Sequence, residues 1–139
     1  MSSFLLDTNV VSEMRKRERG DSNLRVWFAD HRDDEFWLSV LVVGELRRGV
    51  ELIVRRDPAA GQPLGTWLAS IVDEFYDRIL PVTIAISGRW GLLSVPDPVP
   101  VIDGLLAATA MEHRLTLVTR NTADVAPTGV AHVNPFERS

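Results

Sequence analysis

Short apolar runs alternate with longer amphipathic ones along this chain, and the alternation sets the expected elements. Phe4-Leu5-Leu6 reads as a short buried strand, with Asp7-Thr8-Asn9 as the turn and cap of a helix from about Val10 to Arg17. Gly20-Asp21-Ser22-Asn23 breaks the pattern, and Ser22 or Asn23 can cap a helix reaching Asp30. Phe36-Trp37-Leu38 is a second strand, after which Ser39 caps a long helix to about Arg56. The stretch from Asp57 to Pro63 is the strongest loop signal in the chain. A helix from about Leu64 to Asp77, a short strand at Ile79–Val82 and a helix at Thr83–Leu93 follow. The proline-rich segment 96–100 is a rigid connector, and Pro100 suits the first turn of a helix running to Arg114. Leu115–Thr119 and Gly129–Val133 are the last strands, before the tail Asn134-Pro135-Phe136.

Strands separated by helices predict an α/β fold, with a parallel sheet covered on both faces. Ligands of such sheets sit beyond the carboxyl ends of the strands, where Asp7 and Asp124 both fall. A chain of 139 residues, with no internal repeat or low-complexity tract, is expected to form one domain over 1–139.

Bulk composition narrows the function classes. Hydrophobic residues at 45% and charged residues at 24% are ordinary for a soluble globular protein. No apolar run approaches the ~20 residues of a membrane span. The start Met1-Ser2-Ser3-Phe4 lacks the basic, then apolar, pattern of a signal peptide, so a cytoplasmic protein is expected. Cysteine is absent, which excludes disulfides and thiolate metal sites. A net charge of −4 argues against gripping nucleic acid by bulk electrostatics. The basic residues are nonetheless grouped, as Arg15-Lys16-Arg17 with Arg19, Arg47-Arg48, and Arg55-Arg56. They are either solvated helix faces or an arginine rim that meets phosphates around an acidic centre.

Four acids stand out: Asp7, Glu45, Asp103 and Asp124. Each lies beside a predicted strand end or in a mostly apolar helix, where an unpaired charge costs several kcal/mol, roughly. Ion pairing or a metal is the usual remedy. Few bases lie near these acids in sequence, which points to a divalent cation held by hard oxygen ligands. Each acid also has a plainer reading. Glu45 shares its helix face with Leu41, Val42, Gly49 and Leu52, yet it can pair with Arg48 one turn on. Asp7 can be a simple helix cap, Asp103 a helix-start acid beside Leu106 and Ala107, and Asp124 a turn residue. A parallel sheet that brings all four to one edge favours the joint reading.

Asn9, Thr119 and Asn121 are placed to orient the acids or a bound water, or else to satisfy backbone groups in their turns. His31, His113 and His132 are scattered without metal-ligand spacing, and Trp27, Trp37, Trp67 and Trp90 read as core or interface residues.

These motifs, in order, resemble the PIN-domain family. Leu5-Leu6-Asp7-Thr8-Asn9-Val10-Val11-Ser12-Glu13 is similar to its opening motif, and Ser39 through Val50 to its second acidic motif. Asp103-Gly104-Leu105-Leu106-Ala107-Ala108, running on to Asn121, resembles the third; Asp124 stands where a fourth acid is expected, and Asn134-Pro135-Phe136 resembles the closing segment. Within the family the likeness is to VapC-type (FitB-like) toxins, the nuclease half of a VapBC toxin–antitoxin pair. Two positions depart from the pattern. Gly104 replaces the commoner alanine, which is expected to loosen the helix start by up to about 1 kcal/mol. Val125 stands where phenylalanine often follows the fourth acid.

The resemblance implies a three-layer αβα PIN-like fold around a mostly parallel sheet of four to five strands. It implies an endoribonuclease dependent on Mg²⁺ or Mn²⁺ that hydrolyses structured RNA such as tRNA or rRNA through a metal-activated water. Asp7, Glu45 and Asp103 would be direct ligands, with Asp124 bound through water or holding a weaker second ion. Other implied features are a homodimer, a VapB-type antitoxin covering the cleft, operator DNA reached only through that antitoxin, and no membrane. The competing role is a non-catalytic module that binds an antitoxin and supports operator repression. A dehalogenase-type phosphatase needs an acid at position 9, where Asn9 stands; a phosphoacceptor receiver needs a late lysine, and the chain's only lysine is Lys16.

Overall fold

A computed structural model describes residues 2–137. Its sheet has five strands in the order β3-β2-β1-β4-β5, and every neighbouring pair is parallel. The strands are β1 (Ser3–Leu6), β2 (Glu35–Ser39), β3 (Ile79–Leu80), β4 (Thr116–Val118) and β5 (His132–Val133). Among the described residues seven α-helices connect and cover them: α1 (Thr8–Met14), α2 (Ser22–Asp30), α3 (Val40–Arg56), α4 (Pro58–Glu74), α5 (Ile84–Leu93), α6 (Val101–His113) and α7 (Thr122–Val125). The result is the expected three-layer αβα architecture. Among the described residues no helix is long and apolar enough to cross a membrane.

The central strand explains the core. Phe4, Leu5 and Leu6 are all buried, as a strand covered on both faces requires, and the flanking Leu38, Leu117 and Val118 are buried too. Register places Leu5 beside Trp37 and Leu117, and Leu6 beside Val118. Trp27 packs edge-on to Phe4 with ring centroids 5.0 Å apart, Phe4 lying in the main apolar cluster and Trp27 packing against it.

Several sequence expectations are corrected. The stretch from Asp57 to Pro63 is helical from Pro58 onward rather than a loop. Asp57 caps the helix by accepting from Ala60 N at 3.2 Å, and Pro58 occupies the first turn, where a missing N–H costs nothing. Gly61 reflects close approach rather than a turn: a Cβ there would meet Val54 Cγ2 at 2.3 Å and Val54 N at 2.9 Å. Helix α1 stops at Met14, short of Arg17, whose φ of 51° lies in the left-handed region and cannot continue a right-handed helix. Asp21, rather than Ser22 or Asn23, caps α2 through Leu24 N at 3.0 Å. Pro100 is the N-cap of α6 instead of a first-turn residue. Helix α7, unanticipated, carries Asp124.

Candidate functional site: an acidic cleft at the strand ends

Because all five strands run the same way, the residues that leave them gather at one edge. Asp7 follows β1 directly, and its N–H donates to Val118 O at 2.9 Å, which sets it beside the end of β4. Its carboxylate is buried, with Oδ1 accepting from Thr8 N at 2.7 Å and Oδ2 from the Thr119 hydroxyl at 2.6 Å. Glu45 is delivered by α3, whose start is set at the end of β2 by Ser39 Oγ accepting from Leu41 N at 3.0 Å. Its Oε1 accepts from the Thr8 hydroxyl. Asp103 sits in the first turn of α6.

Asp7, Glu45 and Asp103 line one cleft of about 460 Å³, together with Thr8, Asn9 and Asn121. Pro100, Val101 and Ile102 form its apolar wall. Asp124 is exposed on α7 and outside this lining, but its charge acts on Asp103. Thr119 is fully buried beneath Asp7, and its Oγ accepts from Asn121 N at 2.9 Å, so it positions both a carboxylate and the loop that follows. Asn9 Oδ1 is buried without a hydrogen-bond partner.

Thr8 is the residue that sequence reasoning missed. It touches both acids, through its N–H to Asp7 and its hydroxyl to Glu45. The available signal was a hydroxyl directly after the first acid, at the first position of a helix.

No arginine or lysine lines the cleft, and among the described residues none of the ion pairs involves Asp7, Glu45, Asp103 or Asp124. The Glu45–Arg48 pairing considered from sequence does not form; Arg47 pairs with Glu51 at 3.3 Å instead. The electrostatic strain is visible in the acids. Burial, then the charges of Asp7, Asp124 and Glu45, push Asp103 up to about 6. Burial also raises Asp7, reinforced by Glu45 and opposed by the Thr119 and Thr8 hydrogen bonds.

Among the described residues no three His, Cys, Asp or Glu side chains close into a finished ligand cage. The donor set is still one that suits a hard divalent cation: carboxylate oxygens without cationic partners, and a buried amide oxygen, Asn9 Oδ1, left unpaired beside them. A cation there would offset the burial and the neighbouring charges that raise Asp103.

A family model described as the PIN domain matches residues 4–124. The chain is 31% identical to the toxin FitB of Neisseria gonorrhoeae, over 96% of this chain and 98% of that protein. It is 29% identical to the VapC ribonuclease Y4jK of Sinorhizobium fredii, over 96% of this chain and 98% of the relative. The crystal structure of FitAcB from Neisseria gonorrhoeae superposes with a TM-score of 0.84 at 31% identity, covering 97% of this chain and 99% of that one.

Proposed function

The chain belongs to the PIN-domain family, among its VapC- and FitB-type toxins, and from that premise we propose that it is a divalent-metal-dependent endoribonuclease that hydrolyses phosphodiester bonds in structured RNA. The observation that carries this reading is the gathering of uncompensated carboxylates at the carboxyl edge of the sheet, where burial first and the neighbouring charges after it hold Asp103 near 6. The name of the Sinorhizobium relative, a VapC ribonuclease, supports RNA as the substrate.

Asp7, Glu45 and Asp103 would hold Mg²⁺ or Mn²⁺, with Asp124 reaching it through water or serving a second, weaker ion. When bound, the ion supplies a water of lowered pKa and offsets charge on the phosphate and the leaving 3′ oxygen. The protein's own contribution is preorganisation. Thr119 and the Thr8 N–H fix the two oxygens of Asp7, while the Thr8 hydroxyl holds Glu45 from the other side. Asn9 and Asn121 on the cleft wall offer neutral donors and an acceptor to a bound water or a phosphate oxygen. The apolar wall of Pro100, Val101 and Ile102 keeps that side of the cleft from competing as ligand.

The arginine groups, read from sequence as either solvated faces or a rim, do not line the cleft. An acidic cleft alone repels RNA, so substrate binding depends on the cation and on basic residues beyond its edge. The partner that silences the enzyme would be a small VapB-type antitoxin, and the working assembly a homodimer.

The test is incubation of purified, antitoxin-free protein with total cellular RNA in Mg²⁺, Mn²⁺ or EDTA, with new 5′ ends mapped and Asp7→Asn run in parallel. Discrete, metal-dependent cuts that vanish in the variant are expected. Folded protein that cuts nothing in either metal overturns the nuclease reading and favours the antitoxin-pairing role.

A further inference from the structure

The first turn of α6 carries Asp103 with little holding it locally. Its N-cap, Pro100, contributes no side-chain hydrogen bond, and the turn is closed by Gly104 N donating to Pro100 O at 2.8 Å. Packing does the rest. Gly104 is buried, and a Cβ placed on it would lie 2.7 Å from Val99 Cγ2, 3.0 Å from Trp90 Cδ1 and 3.2 Å from Trp90 Nε1. Val99 can turn its branched end aside, whereas the half-buried indole of Trp90, a rigid plane with its Nε1 enclosed, has less room to give. Gly104, expected from sequence to loosen this helix start, is therefore the complement of Val99 and Trp90: Val99 Cγ2 and the indole edge together fill the space that a methyl group would take.

Trp90 is itself held from elsewhere. Its neighbour Arg89 donates from Nε to Glu112 Oε1 at 2.6 Å, which ties α5 to the far end of α6. Ser94 Oγ donates to Trp90 O at 2.8 Å, and Ile86 anchors the same helix in the interior. The indole Nε1 is buried without a hydrogen-bond partner. A polar group left unpaired in this way has a cost, and shape rather than hydrogen bonding accounts for its place.

We propose that Trp90 is a positioning residue for Asp103: its indole edge, seated against the Gly104 backbone, sets where the first turn of α6 stands over the cleft. The consequence for catalysis rests on the nuclease reading above; the placement does not.

The test uses the wild type, Gly104→Ala, Trp90→Leu, Trp90→Phe and the double variant Gly104→Ala/Trp90→Leu, each checked for folding by circular dichroism. Crystal structures of Gly104→Ala are expected to show Asp103 displaced relative to Asp7, and the double variant is expected to return it, because leucine leaves room for the added methyl. In the same proteins Mn²⁺ affinity by calorimetry should fall and recover in step. RNA cleavage should lose up to about 10²-fold in kcat with little change in KM, again restored in the double variant. Should Gly104→Ala not fold, the series Trp90→Phe, then Trp90→Leu, is expected to show increasing displacement of Asp103 and decreasing kcat. Asp103 unmoved in both Gly104→Ala and Trp90→Leu, or a double variant no better than Gly104→Ala, overturns the proposal. If the wild type itself neither binds Mn²⁺ nor cuts RNA, the nuclease reading falls, while the crystallographic comparison still decides the role of Trp90.

Discussion

Thr119 and Asp7 lie 112 positions apart in the chain, yet the Thr119 hydroxyl donates a 2.6 Å hydrogen bond to Asp7 Oδ2. The contact exists because β1 and β4 are parallel neighbours, so the residues that follow them emerge side by side. It also moderates the electrostatics of the cleft. Burial favours the neutral acid at Asp7, and the two donors from Thr119 and Thr8 oppose that shift.

Replacing Thr119 by valine keeps the shape and removes the donor. It strands a buried carboxylate oxygen and also the Asn121 N–H that the hydroxyl accepts. Stability should fall by about 1–3 kcal/mol in urea titrations. Cleavage should fall roughly 10–100-fold, the cost of losing a partner that orients a ligand. Full activity in Thr119→Val would mean that Asp7 needs no orienting bond.

Asp7→Asn should separate catalysis from stability. The amide keeps one of the two acceptors, enough for Thr119 or the Thr8 N–H but not both, and removes a buried charge facing Glu45. Metal-dependent cleavage is expected to drop by more than about 100-fold, while the thermal midpoint stays level or rises. A variant that both unfolds and loses activity would contradict the view that this carboxylate is kept at a cost to the fold.

The contribution of Asp103 to the pH dependence of stability runs opposite to that of an ion-paired carboxylate. Asp103 has its folded value raised from 3.8 to about 6, so the native state binds this proton more tightly than the unfolded chain does. In EDTA its contribution is most favourable below about pH 4 and is lost as pH rises through about 6. Asp103→Asn should remove that part of the slope, and saturating Mg²⁺ should reverse it by favouring the ionised form. Calorimetric melting across pH 4–8, with and without Mg²⁺, reads all three; identical profiles in EDTA and Mg²⁺ would argue against a cation at this site.

Gly61→Ala tests the helical hairpin rather than the cleft. The added carbon would meet Val54 backbone atoms at 2.8 and 2.9 Å, and a helix backbone cannot yield as a side-chain tip can. A loss of about 1–3 kcal/mol in urea is expected, with specific activity of the folded fraction retained because Gly61 lies outside the cleft lining.

Much of the fold was legible because it rests on local chemistry. The runs at Phe4–Leu6 and Phe36–Leu38 are short, apolar and bounded by polar residues, the pattern of strands in a covered sheet, and Ser39 and Thr83 are caps that act on their own helices. The error at 57–63 has an equally physical cause. Pro58 and Gly61 suit a turn as well as a helix start, and only the closeness of Val54 across the hairpin explains the glycine.

The chain alone determined which residues carry charge into apolar surroundings: Asp7 after a buried strand, Glu45 among Leu41, Val42 and Leu46, Asp103 ahead of Leu106 and Ala107. Periodicity suffices for that, since each judgement concerns a residue and neighbours within two turns. Whether those charges meet is a different question. Asp103 reaches the cleft because α6 packs with α5 and Gly104 sits under Trp90; Glu45 is steadied by Thr8, and Asp7 by Thr119. Asp124, equally conspicuous in sequence, stays outside the lining on a short helix that no pattern announced. Those outcomes depend on contacts between residues tens of positions apart, and only the parallel sheet and the packing of its helices decide them.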